Sequence, residues 1–200
     1  MGAQVSAPMP PPPHSSRHTA AHARACAAID RHTRVVADFP TPGVEFRDLT
    51  PVLADPDGLA AVVSALAEHC RGADLIAGID ARGFLLGGAV ARELGVGVIA
   101  VRKSGKLPPP VIGVDYDLEY GTSRLELPAE GLDLRGRHVA VLDDVLATGG
   151  TLVAAARLLR LAGARVHALS VIMELADLPG RATVAAGAGA DVPVHHLCRG

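Results

Sequence analysis

The chain has 200 residues, a hydrophobic fraction of 49% and a formal net charge of -2. That size suits one domain with a sizeable core, and the charge carries no electrostatic footprint for nucleic acid. No apolar run reaches membrane-spanning length, Pro10 to Pro13 interrupt any signal-peptide core, and the three scattered cysteines point to a reducing cytoplasm.

Residues 1–18 are Pro, Ser, Ala and His without period, the composition of a disordered tail; residues 19–200 are then the single domain. Thr19 to Val36 spaces Ala20, Ala23, Ala27 and Val35 as a first helix. Phe39 to Gly43 forbids helix and forces an extended turn, and Val44 to Asp55 continues as an irregular segment. Asp57 to Cys70 is an amphipathic helix built on Leu59, Val62, Val63 and Leu66. Asp74 to Ile79, Gly83 to Leu94 and Val96 to Val101 read as strand, helix and strand, a βαβ unit with parallel strands and a right-handed crossover.

Arg102 to Gly121 shows no clean period and holds three consecutive prolines; a loop of that length is usually functional, often a lid. Thr122 to Leu127 returns from it as a strand. His138 to Leu142, Gly150 to Leu161 and Val166 to Met173 form a second strand–helix–strand series, and Val192 to Leu197 a last short strand. His195, His196 and Cys198 stand close in sequence, but a terminal strand with alternating faces explains them more simply than a metal cluster. The alternation implies an α/β fold: an open, twisted, mostly parallel sheet flanked by helices.

The sharpest motif follows the strand at 138. Asp143 and Asp144 end an apolar run; Ala147, Thr148, Gly149, Gly150 and Thr151 then open a helix. Unpaired N–H groups and the positive end of the helix dipole favour an anion there. The glycines let the backbone approach it closely, and the threonines add hydroxyl donors. Two carboxylates beside a bound phosphate would repel it unless something lies between. A ribose does so, its vicinal hydroxyls donating to the acids while its 5′-phosphate enters the loop. The loop has no Lys, unlike a Walker A motif.

This segment resembles the phosphoribosyl-pyrophosphate signature of the type I phosphoribosyltransferases. Further segments narrow the resemblance to the adenine phosphoribosyltransferases: Phe39 to Leu53, Ala77 to Phe84, Val101 to Pro108 and Tyr116 to Gly121, together covering about residues 35 to 180. The resemblance implies a type I phosphoribosyltransferase fold with a flexible hood loop. It implies an enzyme of purine salvage that forms AMP and pyrophosphate from adenine and phosphoribosyl pyrophosphate, with Mg²⁺ and without direct metal ligands from the protein. It also implies a homodimer.

Residue by residue, the resemblance places adenine on Phe46, flanked by backbone groups of Glu45 and Arg47, with Leu175 closing the other side. Asp80, Ala81 and Arg82 would form a pyrophosphate turn with a cis peptide near Asp80–Ala81. Ala81 stands where some members have Ser. Arg102, Lys103 and Lys106 would clamp pyrophosphate, and Glu119 in the hood would transfer a proton. Asp143 and Asp144 would hold the ribose or metal waters. The plainer readings are core packing for Phe46, a solvated loop for the basic cluster and an exposed carboxylate for Glu119. Three rival functions remain: another purine base, a non-catalytic sensor of phosphoribosyl pyrophosphate, and a generic Rossmann module. The first is opposed by the N-terminal segment, the second by the lack of a DNA-binding module, and the third by the lack of a clean Gly-x-Gly-x-x-Gly.

Overall fold

The computed structural model describes residues 14–39, 41–118 and 121–200. In chain order the elements are α1 (His14–His32), β1 (Arg34–Ala37), β2 (Glu45–Asp48), α2 (Thr50–Ala54), α3 (Pro56–His69) and β3 (Leu75–Ile79). They continue as α4 (Arg82–Leu94), β4 (Gly97–Lys103), β5 (Val111–Leu118), β6 (Gly121–Pro128), β7 (His138–Leu146), α5 (Gly150–Leu161), β8 (Arg165–Glu174), α6 (Gly180–Ala188) and β9 (Val194–Arg199).

The main sheet runs β5-β6-β4-β3-β7-β8-β9. Its pairs from β4 through β9 are parallel, and the β5–β6 hairpin joins β4 antiparallel at Arg102 and Lys103. From β3 the chain crosses through α4 to β4 on one side; from β7 it crosses through α5 to β8 on the other. The strand order therefore reverses between β3 and β7. Beyond the carboxyl ends of those strands lies the crevice where open α/β sheets bind ligands.

Alternating side chains feed two cores. Ala77, Ile79, Val139 and Val141 join Leu152, Leu158 and Leu159 of α5. Ile76, Ala140 and Leu142 join residues of α1, α3 and α4. The two clusters lie on opposite faces of the sheet, as period-2 strands require. No space separates α4 from its strand. A Cβ on Gly78 would collide with Gly83 O, and one on Gly83 would lie 2.6 Å from Leu142 O. Two glycines thus set the height at which α4 begins over β3 and β7.

Several expectations need correction. The first helix starts at His14, inside the segment expected to be tail, and ends at His32 rather than Val36; residues 1–13 lie outside the described residues. Val35 and Val36 belong to β1, which pairs antiparallel with β2, because β-branched side chains favour the pleated surface over helix. The irregular stretch from Val44 resolves into β2 and α2. The segment expected to be an unpatterned lid contains β5, whose Ile112, Val114 and Tyr116 pack on the first core. α6 was not expected at all.

At the far end of α3, the His69 ring stacks on His195 (centroids 4.5 Å, 18° between planes). His69 Nδ1 lies 2.9 Å from the buried Ser170 Oγ. Burial holds the His195 pKa below its usual 6.5, and the positive charges of Arg181 and His167 add to the shift. The unfolded chain thus takes up a proton near pH 6.5 that the folded chain resists. Stability contributed by neutral His195 is present above that pH and is lost as pH falls below it. Thermal melts from pH 7.5 to 5.5 should show the midpoint falling, with a shallower fall in His195→Gln. An equal fall in both would remove His195 as a cause.

Candidate active site

The turn from β7 to α5 sits at the strand-order reversal. Its last residue before the helix, Gly149, has φ 89°, a conformation costly for any side chain. A Cβ there would also lie 2.6 Å from Gly180 O, and one on Gly180 would collide with Ala147 O. The loop and the start of α6 therefore interlock backbone against backbone. No side chain caps α5, so its first-turn N–H groups face the loop's concavity.

Asp143 and Asp144 lie inside β7, which runs on to Leu146. Alternation slips across them: Val145 packs with the same core as Leu142, and Leu146 with the other. Both acids open onto one cleft of about 380 Å³, shared with Asp80, Ala81, Arg82, Lys103 and Thr151. Asp144 is buried and ion-paired with Arg82 Nε. Its backbone N–H donates to Asp143 Oδ1 at 2.9 Å. Burial raises the Asp143 pKa well above its usual value, and the Asp144 charge adds to the rise. A carboxyl so placed seeks hydroxyl donors or positive charge.

The Asp80–Ala81 peptide is cis. Asp80 accepts Arg102 Nε at 3.1 Å and the Lys103 N–H at 3.4 Å, and the Arg102 guanidinium lies over the Phe84 ring at 5.4 Å. Lys103 and Lys106 are exposed. The buried Glu126 holds the turn between them, accepting Ser104 Oγ at 2.9 Å and Gly105 N–H at 3.2 Å. Arg124 bridges Glu126 (3.3 Å) to Asp115 of β5 (3.0 Å). The basic turn and the hairpin are therefore tied to one carboxylate. Sequence reasoning missed Glu126, although a lone acid between Leu125 and Leu127 in a strand was a signal.

The residues expected to hold the base lie outside that cleft's lining. Phe46 is half-buried on β2 and meets Phe39 edge-on (5.2 Å, 76°). Arg47 pairs with Glu45 at 2.6 Å. Leu175 follows β8, and its N–H donates to Leu146 O at 2.9 Å, so it stands beside the end of β7. Glu119 lies outside the described residues.

The family model for the phosphoribosyl transferase domain matches residues 52–181. The adenine phosphoribosyltransferase of Mycobacteroides abscessus is 67% identical over 153 residues, covering 76% of this chain and 86% of that one. That of Corynebacterium efficiens is 58% identical over 175 residues, covering 86% and 88%. Among solved structures, adenine phosphoribosyltransferase from Thermoanaerobacter pseudethanolicus superposes with a TM-score of 0.79 at 39% identity, covering 87% of this chain and 99% of that one. The Saccharomyces cerevisiae enzyme, solved with adenine and an imino-altritol bisphosphate, gives 0.80 at 31% identity, covering 88% and 99%.

Proposed function

We infer the roles of individual residues from one premise: the chain belongs to the adenine phosphoribosyltransferase family. It is a pentosyltransferase that makes AMP and pyrophosphate from adenine and phosphoribosyl pyrophosphate in purine salvage. The observation that carries the residue assignment is the single cleft joining the Asp80–Arg82 turn to Asp143, Asp144 and Thr151.

In this reading the 5′-phosphate sits on the N–H groups of residues 147–151. The ribose 2′- and 3′-hydroxyls donate to Asp143 and Asp144, and those donors offset the burial and the Asp144 charge that raise the Asp143 pKa. Pyrophosphate lies against the 80–82 turn. Arg82 exchanges Asp144 for the phosphate oxygens, and Arg102, Lys103 and Lys106 complete the positive wall. Adenine stacks on Phe46 between the backbones of Glu45 and Arg47, with Leu175 opposite.

The C1′–oxygen bond to pyrophosphate breaks as adenine N9 bonds C1′ from the opposite face. The N9 proton passes to Glu119, and the leaving group keeps the electron pair. Rate comes from positioning and from charge compensation of the departing pyrophosphate. The oxygen donors on the cleft wall fit Mg²⁺ held through its waters, and the ion would neutralise pyrophosphate charge. Closure of residues 103–121 would exclude water from the donor.

The catalytic domain runs from α1 to β9, and no helix among the described residues is long and apolar enough to cross a membrane. A reducing, cytoplasmic setting fits the free thiols of Cys26, Cys70 and Cys198, and a homodimer fits the exposed Leu85 of α4 and Val98 of β4. Initial rates with phosphoribosyl pyrophosphate, Mg²⁺ and each of adenine, hypoxanthine, guanine and xanthine test the base pocket. Selective AMP formation supports it. Faster turnover of another base overturns the roles of Phe46 and Leu175 while leaving the phosphate site intact.

A further inference from the structure

Between β8 and α6 the chain makes a short strap, residues 175–179, which runs into Gly180 at the start of α6. An ion pair closes it at its base. Arg181 Nε donates to both Glu174 oxygens, at 3.0 and 3.1 Å, and Arg181 Nη2 also meets Glu174 Oε2. Arg181 Nη1 donates to Val194 O at 3.1 Å, and His196 Nδ1 lies 2.9 Å from Glu174 Oε2. Glu174 is 6% exposed. The Arg181 side chain is 40% exposed, so it is the buried carboxylate and the fork geometry that fix the pair's orientation more firmly than a single-contact ion pair would.

The strap has a different task at each end. Leu175 leads it, its N–H fixed on Leu146 O. Gly180 ends it, packed so closely on Ala147 O and Gly149 that neither glycine admits a Cβ. One end therefore reaches the wall assigned to adenine, and the other supports the loop assigned to the 5′-phosphate.

We propose that Arg181, through its pair with Glu174, is a positioning residue that fixes the base wall at Leu175 and the phosphate loop at Gly149 relative to each other. The inference rests on the ligand placement proposed above. It touches neither ligand directly and sets only the distance and angle between two half-sites. Such a device matters most to a ligand that occupies both halves at once. Adenine alone or ribose 5-phosphate alone finds its half-site still formed when the halves drift. AMP, whose base and phosphate are covalently joined, loses the advantage of binding both together.

The test is calorimetric titration of the full chain with adenine, ribose 5-phosphate and AMP, in the wild type, Arg181→Lys and Arg181→Met. Arg181→Lys keeps the charge and loses the fork, so it remains a usable measurement if Arg181→Met fails to fold. Expected in Arg181→Lys is a loss of AMP affinity of about tenfold, with each fragment within about twofold of wild type. Equal losses for all three ligands, or no loss for any, overturn the inference, since a plain fold staple lowers the thermal midpoint without singling out AMP. A folded wild type that binds none of the three overturns the underlying site reading and this inference with it.

Discussion

Replacing Asp143 by Asn is expected to make the protein more stable and a far poorer enzyme. Folding places the Asp143 carboxyl where burial and the neighbouring Asp144 charge both oppose ionisation. At neutral pH the unfolded chain carries that charge freely, so its ionisation works against the folded state. Asn removes the charge and keeps an oxygen to accept the Asp144 N–H. The expected gain is on the order of 1 kcal/mol, or roughly 2–4 °C in the unfolding midpoint for a domain of this size. The size of the gain depends on pH. The folded pKa is raised, so the wild type recovers stability as pH falls through that value. The advantage of Asn should vanish below the ordinary carboxylate range, near pH 3.8.

Function moves the other way. A ribose hydroxyl that loses a charged acceptor gives up about 1.5–3 kcal/mol, which raises KM for phosphoribosyl pyrophosphate by about 10- to 100-fold. Scanning calorimetry from pH 8 to 4, beside initial rates, checks both halves. A variant no more stable than wild type at pH 8 shows that Asp143 is not under electrostatic load. Unchanged donor KM removes it from the ribose site.

Glu119→Leu is expected to lower kcat by about 10²- to 10⁴-fold, the usual contribution of a positioned proton-transfer group. Donor KM should stay within about threefold, because the phosphate loop and the pyrophosphate turn are untouched. Replacing the nearby Asp117 by Asn provides the comparison: a general loss of acidity in the hood would move both variants alike. Unchanged turnover in Glu119→Leu ends its assignment.

Where composition and pattern agreed, the fold was legible. The runs at Asp74–Ile79 and His138–Leu142 named the two central strands, and the stretch Asp143–Thr151 marked the crevice beside them. The order of strands was not legible, because pairing between distant segments leaves no local period. β5 escaped notice although Ile112, Val114 and Tyr116 alternate, since Pro108 to Pro110 and Gly113 looked like loop. α6 escaped because its Ala and Gly residues present almost no apolar contrast around Val184, so helical period had nothing to act on. The cis peptide at Asp80–Ala81 was anticipated only through resemblance; nothing in the residue types demanded it. Arg181 was invisible for a related reason: it acts through a partner that only the fold supplies. Glu126 did leave a mark, a lone acid between two leucines, but the groups it holds are set by the fold.

The contact of Gly78 with Gly83 has a consequence for genetics. Most damaging changes in a packed core can be offset by trimming the neighbour that is struck. Here the neighbour is already glycine, and what would be struck is main-chain oxygen, of Gly83 for one and of Leu142 for the other. A larger residue at either position therefore has no compensating change within the pair. A selection for second-site suppressors of Gly83→Ala should return true revertants or distant stabilising substitutions, and none at position 78.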